Sequence, residues 1–277
     1  MSIAPLITID GLGVTYGHGK SAFQALSDVS LDIRPGETMG LVGESGSGKT
    51  TIGRAVLGLA PVTEGSIRFE GAEIANASRR RRRSLARDIQ VIFQDPYGSL
   101  NPALTVADIL SEPLIAQGVS RRDARARIRG LLDMVHLPTD TGERYPREFS
   151  GGQRQRIAIA RALALQPKLV ICDEPVSALD LTTQARVLEL MIEIQERTGV
   201  AYLFVSHDLA VVRHISHRVT VIYRGKIVEQ GSAAEVTEHP RDLYTRKLFM
   251  SAPLPDVRRQ RERREQLEAL AAAEAST

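Results

Sequence analysis

The sequence has no tryptophan and a single cysteine, Cys172, among its 277 residues. One thiol excludes an internal disulfide, a cysteine-based zinc site and an iron–sulfur cluster held within the chain. No stretch approaches the ~18 uncharged apolar residues that a membrane-spanning helix needs. The first residues lack both a basic start and an apolar core, so we predict no secretory signal there. Together with 43% apolar and 25% charged residues, these absences predict a globular protein of the cytoplasm.

Lysine is scarce as well, with 5 Lys against 31 Arg. The formal net charge is only +3, which is weak evidence for binding to nucleic acid. The arginines are grouped locally, at 79–83 and at 121–129. We interpret both groups as solvated helix faces.

The distribution of apolar residues predicts an α/β fold. Leu6–Ile9, Leu12–Tyr16 and Leu26–Ile33 alternate in polarity, as expected of an N-terminal antiparallel β-subdomain with one solvated face. Continuous apolar runs predict a mostly parallel sheet with helices on both faces. The predicted parallel strands are 38–42, 169–172, 200–205 and 219–223, and the predicted helices are 49–59, 153–165, 183–198 and 209–214.

The pattern of apolar residues changes between residues 101 and about 150, where the patterns typical of strands disappear. Residues 106–110 and 124–135 have helical periodicity, so we predict a helical subdomain inserted in the α/β core. No linker divides the chain, and we expect a single domain over residues 1–255. Residues 256–277 are rich in Ala, Glu and Arg and predict a charged helical or frayed tail.

A glycine-rich segment, Gly43-Glu-Ser-Gly-Ser-Gly-Lys-Thr50, follows the first predicted parallel strand and matches G-x-x-x-x-G-K-[ST]. Its glycines let backbone amides turn toward phosphate oxygens, and the helix that follows adds partial positive charge. The Lys49 ammonium can reach β- and γ-phosphates, and the Thr50 hydroxyl can ligate Mg²⁺. The alternative is a plain glycine-rich turn. The predicted phosphate-binding residues are Gly43, Glu44, Ser45, Gly46, Ser47, Gly48, Lys49, Thr50 and Thr51.

Two carboxylates end a later apolar strand, at Asp173 and Glu174. Asp173 is placed to hold Mg²⁺ through water, and Glu174 to act as general base toward an attacking water. Alone, this pair could equally be an acidic helix cap, but its occurrence with the glycine-rich loop favours the catalytic interpretation. Cys172 then belongs to the packing of the strand.

A second potential phosphate site begins another helix, at Ser150-Gly151-Gly152. Small residues there leave backbone amides free at the helix N-terminus. An ordinary helix cap is the alternative. Because one nucleotide does not need two such phosphate-binding sites, we expect the site at residues 150–152 to contact a nucleotide bound to another subunit.

With these motifs in this order, the sequence resembles the ATP-binding subunits of ABC transporters over nearly the whole chain, to about residue 255. The resemblance implies a P-loop ATPase core with the antiparallel and helical subdomains predicted above. It assigns Glu174, His207 and Gln94 to catalysis, the last also to Mg²⁺ with Thr50 and Asp173. It further assigns Tyr16 to adenine stacking, Asp180 to the family's D-loop, and Ser150, Gly151, Gly152 and Gln153 to the partner's ATP. Phe149 and Val176 depart mildly from the family pattern.

Individually, these side chains have simpler interpretations. Gln94 could be a surface amide, His207 a capping or core histidine, and Tyr16 a packing residue. Their joint order and spacing favour the functional assignment.

Within the family, residues 95–106, 111–114 and 239–255 are similar to oligopeptide and dipeptide importers. Nickel and other small solutes stay open as substrates. The resemblance implies Mg²⁺ with ATP, a second ATPase subunit (a sister chain or a second copy), two transmembrane permeases and, indirectly, an external solute-binding protein. It implies a peripheral position on the cytoplasmic face of the inner membrane. The rival hypotheses are soluble ABC ATPases that act on nucleic acid or on an enzyme complex.

Overall fold

The computed structural model describes residues 4–95 and 98–251, which form ten strands and nine α-helices within those ranges. The strands are β1 Ile7–Tyr16, β2 Phe23–Ile33, β3 Thr38–Val42, β4 Val62–Phe69, β5 Ala72–Glu73, β6 Ile89–Ile92, β7 Leu169–Asp173, β8 Ala201–Val205, β9 Arg218–Tyr223 and β10 Lys226–Ser232. The helices are α1 Lys49–Leu57, α2 Arg79–Leu85, α3 Val106–Ala116, α4 Arg121–Met134, α5 Gly151–Leu163, α6 Leu181–Thr198, α7 Leu209–Ile215, α8 Ala233–Glu238 and α9 Leu243–Ser251.

The larger sheet has the order β10-β9-β3-β8-β7-β6, and its strands from β9 to β6 are mutually parallel. The four predicted parallel strands are therefore confirmed, whereas β6, which was not predicted, adds a fifth parallel strand and β10 pairs antiparallel at the other edge. Alternate residues of β7 face two different cores: Ile171 packs in the cluster shared with α1, and the fully buried Cys172 packs in the cluster shared with α5 and α6. Both faces of the sheet are thus covered. The carboxyl ends of β3, β7 and β8 meet at one edge, which is where parallel α/β sheets place their ligands.

The smaller sheet is antiparallel, in the order β2-β1-β4-β5. The prediction of two strands before residue 17 was wrong in detail, because β1 is continuous. Its register shifts between Ile9 and Leu12, around Gly11, whose φ of 58° lies in the left-handed region. β4 was not predicted, since its first residues are exposed and polar and show no alternation.

Between β6 and α5 the chain is helical, as predicted, with α3 and α4 packed on one another and on α5. Thr105 caps α3 through the amide of Asp108, and Ser120 caps α4 through the amide of Asp123. Arg161 on α5 donates a hydrogen bond to the Ser99 carbonyl oxygen, which ties α5 to the segment before α3. Residues 252–277, including the predicted tail, lie outside the described residues.

The arginine groups fall on α2 and α4, where most of their side chains are exposed, as interpreted from the sequence. Arg82 is the exception, because its guanidinium donates to the carbonyl oxygens of Val56, Ile74 and Ala75. It therefore joins the end of α1 to the β4–α2 connection. Within the described ranges, no helix combines the length and apolar character needed to cross a membrane.

Candidate functional site

The glycine-rich loop leaves β3 in a conformation that only glycine adopts without strain. Gly43, Gly46 and Gly48 have φ values of 153°, 78° and 110°. A Cβ at Gly43 would lie 2.2 Å from the Ile222 carbonyl oxygen. α1 then starts at Lys49 with no side-chain cap, so its first amides remain available to an anion.

The Lys49 ammonium is the cation of the loop and is almost fully buried, at 5% exposure. It donates hydrogen bonds to the Gly43 and Glu44 carbonyl oxygens, at 2.8 and 2.7 Å. Burial lowers the pKa of Lys49, and the nearby carboxylates of Glu174, Asp173 and Glu44 act in the opposite direction. An additional anion in the cleft would favour the charged form.

Thr50 and Asp173 face one another across the loop and the end of β7. The Thr50 hydroxyl lies 3.0 Å from Asp173 Oδ1, to which it donates. Burial raises the pKa of Asp173, and the Thr50 hydrogen bond partly offsets this. Hydroxyl and carboxylate oxygens are the hard ligands that Mg²⁺ takes. Among the described residues, no group of three or more His, Cys, Asp and Glu side chains is placed to hold a metal ion.

The three side chains assigned to catalysis meet at one carboxylate oxygen. Glu174 Oε2 accepts a hydrogen bond from Gln94 Nε2 at 3.1 Å and lies 3.0 Å from His207 Nδ1. The Glu174 backbone has a φ of 48°, in the region that non-glycine residues rarely adopt. Its amide donates to the Val205 carbonyl oxygen, which fixes this turn to the end of β8. Pro96 and Tyr97, just after Gln94, lie outside the described residues.

These groups surround a cleft of about 650 Å³, a volume typical of small-molecule sites. The predicted residues that line it are Tyr16, Ser45, Gly46, Gly48, Lys49, Thr50, Thr51, Gln94, Glu174 and His207. The Ser47 hydroxyl beside them is buried and has no partner in the described structure. A slightly larger cleft of about 670 Å³ lies between α1 and α2, but it is lined by neither a carboxylate nor a nucleophile and offers no comparable chemistry.

An aromatic side chain that the sequence analysis missed shares the open end of the cleft. Phe23 pairs with Tyr16 across β1 and β2, lines the cleft and is 63% exposed. A single exposed aromatic side chain is common on protein surfaces, so the argument for ligand contact rests on its position beside Tyr16 in the lining of the cleft. The available signal was an aromatic residue at the outward position of a strand, and it is weak in a single sequence.

The predicted signature residues lie apart from this cleft, at the N-terminus of α5. Ser150 caps the helix by accepting from the Gln153 amide at 3.4 Å, and Gln153 Oε1 accepts in return from the Ser150 amide at 3.0 Å. Gly152 packs against α6 so closely that a Cβ would lie 2.2 Å from Thr183 Cγ2. Asp180 caps α6, and its hydrogen bonds with Thr183 lower the pKa of its carboxylate.

A buried lysine in a glycine loop, a helix N-terminus without a cap, and a Thr–Asp pair at a strand end define the P-loop class of nucleotide-binding proteins. The model of the ABC transporter family matches residues 26–177. A putative peptide import ATP-binding protein of Brucella ovis is 49% identical over 257 residues, which cover 92% of this chain and 81% of that protein. The chain belongs to the ABC transporter family, and the resemblance to its peptide-importer branch is confirmed.

Two further relatives are longer than this chain. OppD of Mycobacterium tuberculosis, an oligopeptide transport ATP-binding protein, is 50% identical over 247 residues, which are 89% of this chain and 40% of that protein. GsiA of Pectobacterium atrosepticum, a glutathione import ATP-binding protein, is 54% identical over 240 residues, which are 86% of this chain and 38% of that protein. The chain therefore spans about two fifths of the length of these relatives.

Solved structures confirm the fold class. CbiO1 of Clostridium perfringens, part of an ABC transporter complex, superposes with a TM-score of 0.78 at 26% identity over 85% of this chain and 91% of that one. The ATP-binding cassette MJ0796, solved as a dimer with ADP and phosphate, gives a TM-score of 0.73 at 30% identity over 82% of this chain and 98% of that one.

Proposed function

We propose that this chain binds and hydrolyses ATP to energise a membrane importer of peptides. The observation that carries the proposal is the meeting of Gln94 and His207 on one oxygen of Glu174, at the edge of a P-loop cleft. In the hydrolysis, a water attacks the γ-phosphorus, the bond to the β–γ bridging oxygen breaks, and ADP and phosphate leave. Glu174 accepts the proton of the attacking water.

The loop residues supply the binding of the triphosphate. Backbone amides of residues 43–51 and the N-terminus of α1 hold the phosphate oxygens, and Lys49 neutralises the β- and γ-phosphates. Thr50, Asp173 (through water) and Gln94 are the residues that would hold Mg²⁺, which when bound neutralises charge on the phosphates. Tyr16 and Phe23 provide the surface on which adenine stacks.

Gln94 and His207 orient the base and the γ-phosphate. With both side chains on Glu174 Oε2, the carboxylate is held in one rotamer while Oε1 stays free to accept a proton. In the pair formed by His207 and Glu174, the His207 side chain is the more exposed of the two. It can therefore rotate toward a γ-phosphate without a large desolvation cost.

The second half of each site comes from another subunit. Ser150, Gly151, Gly152 and Gln153 lie outside the cleft of their own chain and present a helix N-terminus, which suits the γ-phosphate of a nucleotide held by a partner. Asp180 lies at that interface. The dimeric structure of MJ0796 supports a pair of ATP-binding subunits, and the distance of the α5 N-terminus from its own chain's cleft favours a head-to-tail arrangement of that pair. Closing the pair around ATP would drive the permeases, and product release would reopen it.

The imported solute is proposed from the relatives, whose names specify oligopeptides, peptides and the tripeptide glutathione. We place the chain at the cytoplasmic face of the inner membrane, paired with a sister ATPase or a second copy and bound to two permeases. A periplasmic or external binding protein would deliver the peptide to those permeases.

Affinity purification from detergent-solubilised membranes, followed by mass spectrometry, tests this assignment. We expect two multi-span permeases and an ATPase subunit to co-purify with tagged chain and not with the tag alone. The reconstituted complex is then expected to hydrolyse ATP faster when binding protein and peptide are added. If nickel alone stimulated ATP hydrolysis, the proposed solute would change from peptide to nickel. If the chain purified only with RNA or with a soluble enzyme complex, the transport function would be overturned.

A further inference from the structure

α9, the last helix of the described residues, contacts the P-loop directly. The Glu44 amide donates a hydrogen bond to the Tyr244 hydroxyl at 3.1 Å, across 200 positions of sequence. The Tyr244 ring stacks on Tyr223, the last residue of β9, with ring centroids 4.2 Å apart. The proposed function assigns no role to this contact.

Two carboxylates, those of Glu229 and Asp242, fix the position of the start of α9. Glu229 on β10 accepts from the amides of Arg241 and Asp242, at 2.8 and 3.1 Å. Asp242 in turn accepts from the amides of Tyr244 and Thr245, at 2.8 and 3.2 Å. Four backbone amides thus hold Tyr244 in register, so its hydroxyl meets the loop at a defined point.

On the side of the glycine-rich loop, Glu44 connects Tyr244 to Lys49 through its backbone. The amide of Glu44 donates to Tyr244, while the carbonyl oxygen of the same residue accepts from Lys49 Nζ at 2.7 Å. Other supports from this flank involve the backbone: the Gly225 amide donates to the Ser47 carbonyl oxygen, and Ile222 packs on Gly43. Burial raises the pKa of Tyr244, so its hydroxyl stays neutral at physiological pH.

We propose that Tyr244 is a positioning residue for Lys49, acting through residue Glu44. Its hydroxyl fixes the first turn of the loop, and that turn aims the lysine ammonium at the β- and γ-phosphates. The inference rests on the nucleotide site proposed above. It predicts that Tyr244 affects nucleotides with β- and γ-phosphates and spares those without them.

The test compares wild type, Tyr244→Phe and Tyr223→Phe as full-length chains. Each variant loses one hydroxyl and keeps the stacked rings, and Tyr223 serves as the matched control. Dissociation constants for ATP and AMP are measured by competition with a fluorescent nucleotide, together with melting midpoints. We expect Tyr244→Phe to weaken ATP binding about three- to tenfold, up to the value of one hydrogen bond, and to leave AMP binding unchanged. Because the lost bond is internal to the protein, its melting midpoint is expected to fall by about 2–4 °C.

Turnover gives an independent readout. Because Lys49 contacts the phosphates in both ground and transition states, we expect KM for ATP to rise while kcat changes less than about twofold. Equal weakening of ATP and AMP, or an unchanged ATP affinity in Tyr244→Phe, would overturn the positioning role alone. A wild-type chain that binds no ATP would instead overturn the proposed function.

Discussion

Two helix N-termini in this molecule are suited to phosphate, and they are prepared in opposite ways. α1 begins without a side-chain cap, behind three glycines with positive φ, beside a buried lysine and two carboxylates. α5 begins with a reciprocal cap between Ser150 and Gln153, and it lies outside its own chain's cleft. The first end has the groups to bind an anion, at a cost in stability, whereas the second is a stable helix end outside its own chain's cleft. In the proposed function, one chain thus carries two unlike halves of a site.

The largest expected effect removes the base from the α1 half. Glu174→Gln keeps the size and hydrogen-bonding reach of the side chain but cannot accept a proton from water. We expect kcat to fall about 10²- to 10⁴-fold with ATP affinity retained. Steady-state ATPase assays and equilibrium binding check this. Glu70→Gln is the control, because Glu70 has a similar left-handed backbone, with a φ of 49°, but lies outside the cleft and pairs with Lys168. A comparable fall in kcat for that variant would remove the distinction.

The next prediction concerns the N-terminus of α5 and leaves the cleft at α1 unchanged. Gly151→Glu adds an anion to the first turn, where it stabilises a helix but repels phosphate. We expect turnover to fall at least about tenfold, with ATP affinity of the isolated chain and melting midpoint maintained. Gly151→Ala is the neutral control. Gly152 is unsuitable for this purpose, because any Cβ there meets Thr183. Weakened ATP binding by the isolated subunit would place α5 in its own site and contradict the two-half arrangement.

A smaller effect concerns the aromatic end of the α1 half. Tyr16→Ala and Phe23→Ala are each expected to raise the dissociation constant for ATP about three- to tenfold, the value of an aromatic stacking contact. Affinity for tripolyphosphate, which has no base, is expected to stay constant. Calorimetric or fluorescence titrations distinguish the two ligands. A variant that loses both ligands equally would show that its ring supports the loop rather than adenine.

The smallest expected effect is on thermal stability, which the partly buried carboxylate of Asp173 near α1 lowers. Because burial raises the pKa of Asp173 in the folded state, its charge is unfavourable to folding above that pKa and has no effect once both folded and unfolded forms are protonated. Asp173→Asn is therefore expected to melt about 2 °C higher than wild type near pH 7. The difference is expected to shrink as the pH falls from the raised pKa of Asp173 toward the ordinary range of aspartate, and to be absent below that range. Thermal melts across pH measure it, and a difference that grows toward acid would reverse the sign of this argument.

The sequence was sufficient for four strands of the parallel core because β3, β7, β8 and β9 are largely apolar and buried runs. The fifth parallel strand, β6, is short and only half-buried at its centre, and it was not predicted. The sequence was also insufficient for β4 and β10, whose residues are partly exposed and whose pairing is set by neighbouring strands rather than by their own pattern. Local motifs similarly located Lys49, Thr50 and Glu174. The contributions of Phe23 and Tyr244 were missed because each depends on contacts between segments that are distant or unremarkable in sequence.

The left-handed backbone of Glu174 carries an evolutionary consequence. A residue with a Cβ pays a steric cost at a φ of 48°, and glycine or asparagine would adopt that conformation more readily. Under the proposed function, the chain keeps a less stable residue here because its carboxylate serves as the base, which is the usual trade between stability and activity. In a lineage that no longer hydrolyses ATP, this position is free to drift toward glycine or asparagine with a gain in stability. The residue found there in related chains therefore records whether hydrolysis has been under selection.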